Sequence, residues 1–271
     1  MLRANLRLTP ANRHPVLSAP WRWAAIGAVL GALLALLLGA PASWLAAALL
    51  RATAGQLQLI EPRGTVWDGS ARLMLTGGVG SRDQAVLPGQ IDWRLRPGFA
   101  ALNIVVSAEC CTPTPLRARL SQRWDGPTLQ LADGSSQWPA ALLAGLGTPW
   151  NTVQADGNLQ LVTQGLSVEW FEGRLALTGR AELQALAVSS RLSTLKPMGS
   201  YRLTLAGGPT PTLELATIEG SLQLSGRGSW VGSRLRFEGQ ASAAPEHEAS
   251  LSNLLNIIGR RNGARSIIKL G

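Results

Sequence analysis

Leu175-Ala176-Leu177-Thr178-Gly179-Arg180-Ala181-Glu182-Leu183 sets apolar residues at every second position, with polar or small neighbours between them. In an extended chain successive side chains point to opposite faces. A period of two therefore predicts a strand with one buried and one wet face. The same spacing recurs at Leu73 and Leu75; at Ile91, Trp93 and Leu95; at Leu102, Ile104, Val106 and Ala108; and at Leu116, Ala118 and Leu120. It returns at Leu159 and Leu161, at Tyr201, Leu203 and Leu205, and at Leu235, Phe237, Gly239 and Ala241. Many such strands separated by turn residues predict an antiparallel all-β architecture.

The turns share a signature. Trp67-Asp68-Gly69, Trp124-Asp125-Gly126 and Trp230-Val231-Gly232 each separate two strand patterns, and Trp170-Phe171-Glu172-Gly173 is a looser copy. Asp-Gly favours two-residue hairpins because glycine takes positive φ without steric cost. The copies are too unevenly spaced for a propeller or solenoid. Gly179, Gly226, Gly228 and Gly239 lie inside strand patterns, where glycine permits bulges and coiling. The expectation is a strongly curved antiparallel sheet, a half-barrel or open barrel.

Two helices interrupt this pattern. One is expected over Trp138–Leu146, stopped by Gly147-Thr148-Pro149. The other is an amphipathic helix over Pro245–Ile258, with Leu251, Leu254, Leu255 and Ile258 on one face and Glu246 and Glu248 in its first turn. That face either plugs one end of the sheet or docks a partner. Arg265–Leu270 reads as a last strand.

Before the strands, residues 23–50 carry no charge, and Arg3, Arg7, Arg13 and Arg22 precede them without any acid. Such a run closes its own hydrogen bonds as a helix in hydrocarbon. From Trp23 to Trp44 it would span about 31 Å, close to the bilayer's apolar thickness of roughly 30 Å. Tryptophan favours the interface and arginine stays on the cytoplasmic side. The expected organisation is a cytoplasmic basic tail over 1–22, a single membrane anchor over 23–44 and a periplasmic β-rich domain over 45–271. A competing reading is a signal peptide cleaved after Ala40-Pro41-Ala42.

The net charge of +9 includes the four arginines of the tail, and the other basic residues stand singly among strands, as at Arg202, Arg234 and Arg236. A nucleic-acid surface needs clustering on one face, so no nucleic-acid partner is expected. Cys110 and Cys111 are the only cysteines. Outside the cytoplasm they either bridge as neighbours or stay as two small thiols before Thr112-Pro113-Thr114-Pro115. With two histidines, His14 and His247, no metal spacing exists. Ser193-Thr194-Leu195-Lys196 spells the S-x-x-K nucleophile motif, but Pro197 bars the helix that this chemistry needs. No catalytic, cofactor-binding or metal-ligating residue is assigned, and no cofactor or small-molecule substrate is expected.

Four features together resemble the type II secretion system protein N family. The first is the basic tail and anchor, followed by Gly64-Thr65-Val66-Trp67-Asp68-Gly69. The second is Pro197-Met198-Gly199-Ser200-Tyr201-Arg202-Leu203. The third runs from Gly220 to Ala244, with Gly226-x-Gly228-x-Trp230-x-Gly232 and Phe237-x-Gly239, and the fourth is Leu254-Leu255-x-x-Ile258-Gly259. The stretch from about Asn103 to Pro149 resembles the family least. The resemblance implies a non-catalytic inner-membrane component of the machine that exports folded proteins across the outer membrane. Its implied partners are the bitopic inner-membrane C, L and M proteins or the outer-membrane secretin. The alternative is an anchored envelope protein that handles lipid on its apolar face; a hydrolase built on Ser193 and Lys196 is a third.

Overall fold

A computed structural model describes residues 21–270 apart from 125, 172, 173 and 233. Arg3, Arg7, Arg13 and His14, together with Asp125, Glu172, Gly173 and Gly271, lie outside the described residues. The chain divides into two units, Met1–Gly39 and Ala40–Gly271.

In the first unit, α1 (Trp21–Leu38) is apolar throughout except for Arg22, and none of its residues is buried. Its 18 residues rise about 27 Å. It is the one helix among the described residues long and apolar enough to cross a membrane. The second unit begins with α2 (Ala42–Ala52), entered through an extended Pro41 at the N-cap. Pro41 has no amide hydrogen to continue a preceding helix, so it suits a fresh start. Trp44, expected at the far boundary of the span, lies on α2.

The sheet is built from β1 (Leu57–Gly64), β2 (Asp68–Thr76), β3 (Gln84–Val86), β4 (Ile91–Gly98), β5 (Ala101–Ala108), β6 (Leu116–Arg123), β7 (Gly126–Leu131) and β8 (Gly134–Pro139). A 3₁₀ turn at Ala140–Leu146 and a single turn α3 (Trp150–Val153) follow. Then come β9 (Asp156–Phe171), β10 (Arg174–Ser189), β11 (Gly199–Gly208), β12 (Thr212–Gly220), β13 (Leu222–Val231) and β14 (Arg234–Ala243). After α4 (Glu248–Ile258), β15 (Arg260–Asn262) and β16 (Arg265–Leu270) end the described chain. The path runs β1-β2-β4-β5-β6-β7-β9-β10-β11-β12-β13-β14-β16-β15, with β3 on β2 and β8 on β9. Its pairings are antiparallel, and it does not close on itself: β1 and β15 stand at its two ends.

Three local expectations need correction. Trp138 and Pro139 belong to β8, and the helical turn starts only at Ala140. The residue before a proline is driven to extended backbone, which delays the turn. Asp68-Gly69 does not form a hairpin loop, because both residues lie in β2 and the connection is Thr65–Trp67. Nor does Gly69 take positive φ; Gly64 does, at 82°. Gly126 and Gly232 do have positive φ, 145° and 65°.

Two clusters make the core. One joins Leu59, Ala71, Leu87, Ile91, Trp93 and Leu95 with Leu45, Ala46 and Leu49 of α2. The other joins Met198, Tyr201, Leu222 and Ala241 with Leu251, Leu254 and Leu255 of α4. Each of those three leucines is 1% exposed or less, worth roughly 1.5–3 kcal/mol apiece. Trp138 packs against both clusters. Ser266 secures α4 by donating its hydroxyl to the Leu255 carbonyl at 2.5 Å.

Candidate functional site

The segment from Gly64 to Gly69 fastens the start of the second unit. The Thr65 amide donates to the Asp68 carbonyl at 2.9 Å, and the Asp68 amide to the Thr65 hydroxyl at 3.1 Å. Trp93, 5% exposed, donates its indole N–H to the Val66 carbonyl at 3.1 Å. The Val66 amide in turn donates to the Ala40 carbonyl at 2.8 Å, and Pro41 makes an isolated bridge with Thr65. Gly69 is needed for closeness: a Cβ there would meet the Arg63 carbonyl oxygen at 2.5 Å and the Trp93 ring at 2.6 Å. Outside the turn, Asp68 holds Arg94 at 3.1 Å and Arg96 at 3.6 Å.

A second glycine device explains the Gly226, Gly228 and Gly239 spacing. Gly228 faces Phe237 and Gly226 faces Gly239 across the β13–β14 ladder. The Phe237 ring lies over all three glycines; a Cβ on Gly239 would meet it at 2.9 Å and one on Gly228 at 3.1 Å. A flat aromatic side chain here covers backbone that glycine leaves bare.

The sheet's apolar face is unevenly covered. On β4, Ile91, Trp93 and Leu95 are buried. One ladder further on, Leu102, Ile104 and Val106 of β5, Ala118 of β6 and Leu129 and Leu131 of β7 are only half-buried. Leu120 is 37% exposed. The register Leu102–Leu120–Leu129 and Ile104–Ala118–Leu131 puts them on one face. A cleft of about 340 Å³ is lined in part by Ile104, Ala118 and Leu131. This row is an incompletely covered part of the sheet's apolar face.

The residues singled out for chemistry do not assemble a site. Ser193 is buried, and its hydroxyl accepts the Leu195 amide at 3.1 Å. The Ser193–Lys196 stretch is not helical. Lys196 instead lines a cleft of about 520 Å³ with Gln154, Asp156, Ser190 and Arg191, of which Ser193 is not part. Among the described residues no group of three or more His, Cys, Asp or Glu could hold a metal. Cys110 and Cys111 are bridged, with Cα atoms 3.7 Å apart. The bridge lies on the β5–β6 connection, tied to β8 where the Gln137 amide donates to the Cys111 carbonyl at 2.7 Å.

Among the described residues two titratable groups are shifted. Glu182 sits below its usual range because the Gln184 side-chain amide donates to it at 2.7 Å, helped by Arg202 at 3.0 Å and Arg180 at 3.2 Å. That trio is a cross-strand clamp on the sheet's wet face. Tyr201 is pushed up by burial alone.

Sequence reasoning placed Trp124 at a turn but missed Phe99 and the exposure of both rings at the hairpin tips. Phe99 fills the two-residue connection closed by the Gly98–Ala101 pair, and Trp124 starts the one closed by Arg123–Gly126. A large aromatic inside so short a turn is a signal readable from the residues alone.

A family model described as type II secretion system (T2SS), protein N matches residues 55–268. The chain belongs to that family and is therefore a protein-transport component of type II secretion. No curated protein matches the chain, and no solved structure does.

Proposed function

We propose that the chain is a non-catalytic scaffold of the type II pathway, anchored by α1 in the inner membrane. Residues 1–22 then lie in the cytoplasm and the strands in the periplasm. The observation that carries this reading is that the family match begins at residue 55, soon after the candidate span Trp21–Leu38. Partners are other secretion components: the bitopic C, L and M proteins, which share the membrane, or the outer-membrane secretin. The buried, hydrogen-bonded Ser193 supports a role without catalysis.

The half-buried row on β5–β7 favours a second reading, in which an acyl chain covers it. One experiment separates the readings. In a deletion strain, the fraction of a secreted enzyme trapped in the periplasm is measured for each variant. Ser193→Ala and Lys196→Ala should restore export fully. Replacing residues 1–39 by a cleavable signal should leave substantial trapping, because a tether raises local concentration near membrane partners. Trapping by Ser193→Ala with the fold intact would revive an enzyme. If deletion traps nothing while purified protein carries phospholipid, the lipid reading takes over.

A further inference from the structure

One end of the sheet gathers the connections β1–β2, β4–β5, β6–β7, β9–β10, β11–β12 and β13–β14. Neighbouring strands are antiparallel, so every second connection returns to the same end. Apolar side chains at this end are not folded back onto the core. Trp124 is 108% exposed and Phe99 is 103%, as free as in an extended peptide, and Val231 and Trp170 follow at 55% and 44%. The opposite end is filled by the 3₁₀ turn, α3 and α4; it exposes Val79, and Trp150 and Ile257 in part, but no aromatic ring as fully as Phe99 or Trp124.

Cations flank the exposed tips. Arg63 precedes the β1–β2 connection, Arg123 adjoins Trp124 and Arg234 opens β14. All three are exposed. Among the described residues none of them has a carboxylate within ion-pair distance, unlike Arg94, Arg96, Arg180 and Arg202. Aromatic rings beside exposed arginines match the composition of a bilayer interface, where rings sit at headgroup depth and guanidinium groups meet lipid phosphates. The chain also enters the unit at this end: Ala40, which directly follows Gly39, is held by Val66 in the β1–β2 connection.

We propose that this hairpin rim docks into the headgroup layer of an anionic bilayer. Phe99 and Trp124 enter the interface, and Arg63, Arg123 and Arg234 pair with lipid phosphates. The inference rests on the reading of α1 as a membrane span. Docking would orient the sheet upright on the membrane and leave the opposite end, with its helices, facing away.

The test uses the full chain reconstituted in vesicles of phosphatidylethanolamine and phosphatidylglycerol. Photoreactive p-benzoylphenylalanine is placed at Phe99, Trp124, or, at the opposite end, Thr114 and Arg191, and circular dichroism checks the fold of each. Phospholipid adducts should form several-fold more at Phe99 and Trp124 than at the other two. They should decline several-fold when Arg63→Gln, Arg123→Gln and Arg234→Gln are combined. Equal labelling at both ends, or none, overturns the proposal. So does protein crosslinking in place of lipid crosslinking at Phe99 and Trp124 in native membranes. Alkaline extraction separates the causes: a chain that washes off has lost its anchor reading too, whereas a retained chain without lipid adducts sinks the rim alone.

Discussion

Tyr201 carries a hydroxyl that is buried and has no hydrogen-bond partner among the described residues. Its ring belongs to the cluster beneath α4, where 6% of the residue is exposed. An unpaired buried hydroxyl is a cost with no offsetting bond, so the ring rather than the oxygen contributes stability. Tyr201→Phe should therefore hold or raise the stability of the chain, by up to about 1 kcal/mol. Chemical denaturation followed by near-ultraviolet circular dichroism would show it. A loss of similar size would mean that the hydroxyl has a partner in solution. The neighbouring Gly199 explains why the ring is set so tightly, since a Cβ there would stand 2.8 Å from the Tyr201 hydroxyl.

At the scale of the hairpin, two glycines that look alike in sequence act for different reasons. Gly232 has positive φ and open space around its Cα, whereas Gly69 has ordinary φ and no room. Asparagine tolerates the left-handed region. Gly232→Asn should thus shift the melting temperature little, while Gly69→Asn should cost on the order of 1–3 kcal/mol through overpacking against Trp93. Equal effects at the two sites would refute the distinction. The contrast also marks what could be read from residues alone. Alternation located β4, β5, β6, β10, β11 and β14, because each presents regular apolar positions to one face. β8, Gly134–Pro139, offers few apolar residues and is held through β9, so its period is silent. The role of Gly69 depends on Trp93, 24 positions away in the chain, and no local turn rule contains that contact. Phe99 and Trp124 were present as letters, but their convergence at one end requires the pairing order of the whole sheet.

For the whole molecule, an unclosed sheet leaves free backbone groups on its two end strands, β1 and β15, and such edges invite another chain to pair. Both are blunted here. β15 is only three residues long and contains Arg260 and Arg261. β1 contains Pro62, and its register with β2 shifts between Ile60 and Arg63 around Glu61, which sits at φ 53°. Proline removes a donor, and the bulge and charges disturb what remains of a pairing surface. Combining Glu61→Thr with Pro62→Val should give larger assemblies than the parent in light scattering of the detergent-solubilised chain. An unchanged mass would show that the β1 edge is protected in some other way.

The strand order also bears on how the chain assembles in time. From β9 to β14 each strand finds its partner in the segment just before it, and β1–β2 and β4 to β7 do the same. Loop closure between such neighbours costs little, and pairings local in sequence form fast. A polypeptide delivered with its N-terminus first can add one rung at a time without waiting for a distant segment. The longest delay falls at β7, whose second neighbour, β9, arrives only after β8 and the two helical turns. The last to settle is α4, whose leucines have nowhere to go until β11, β13 and β14 are in place.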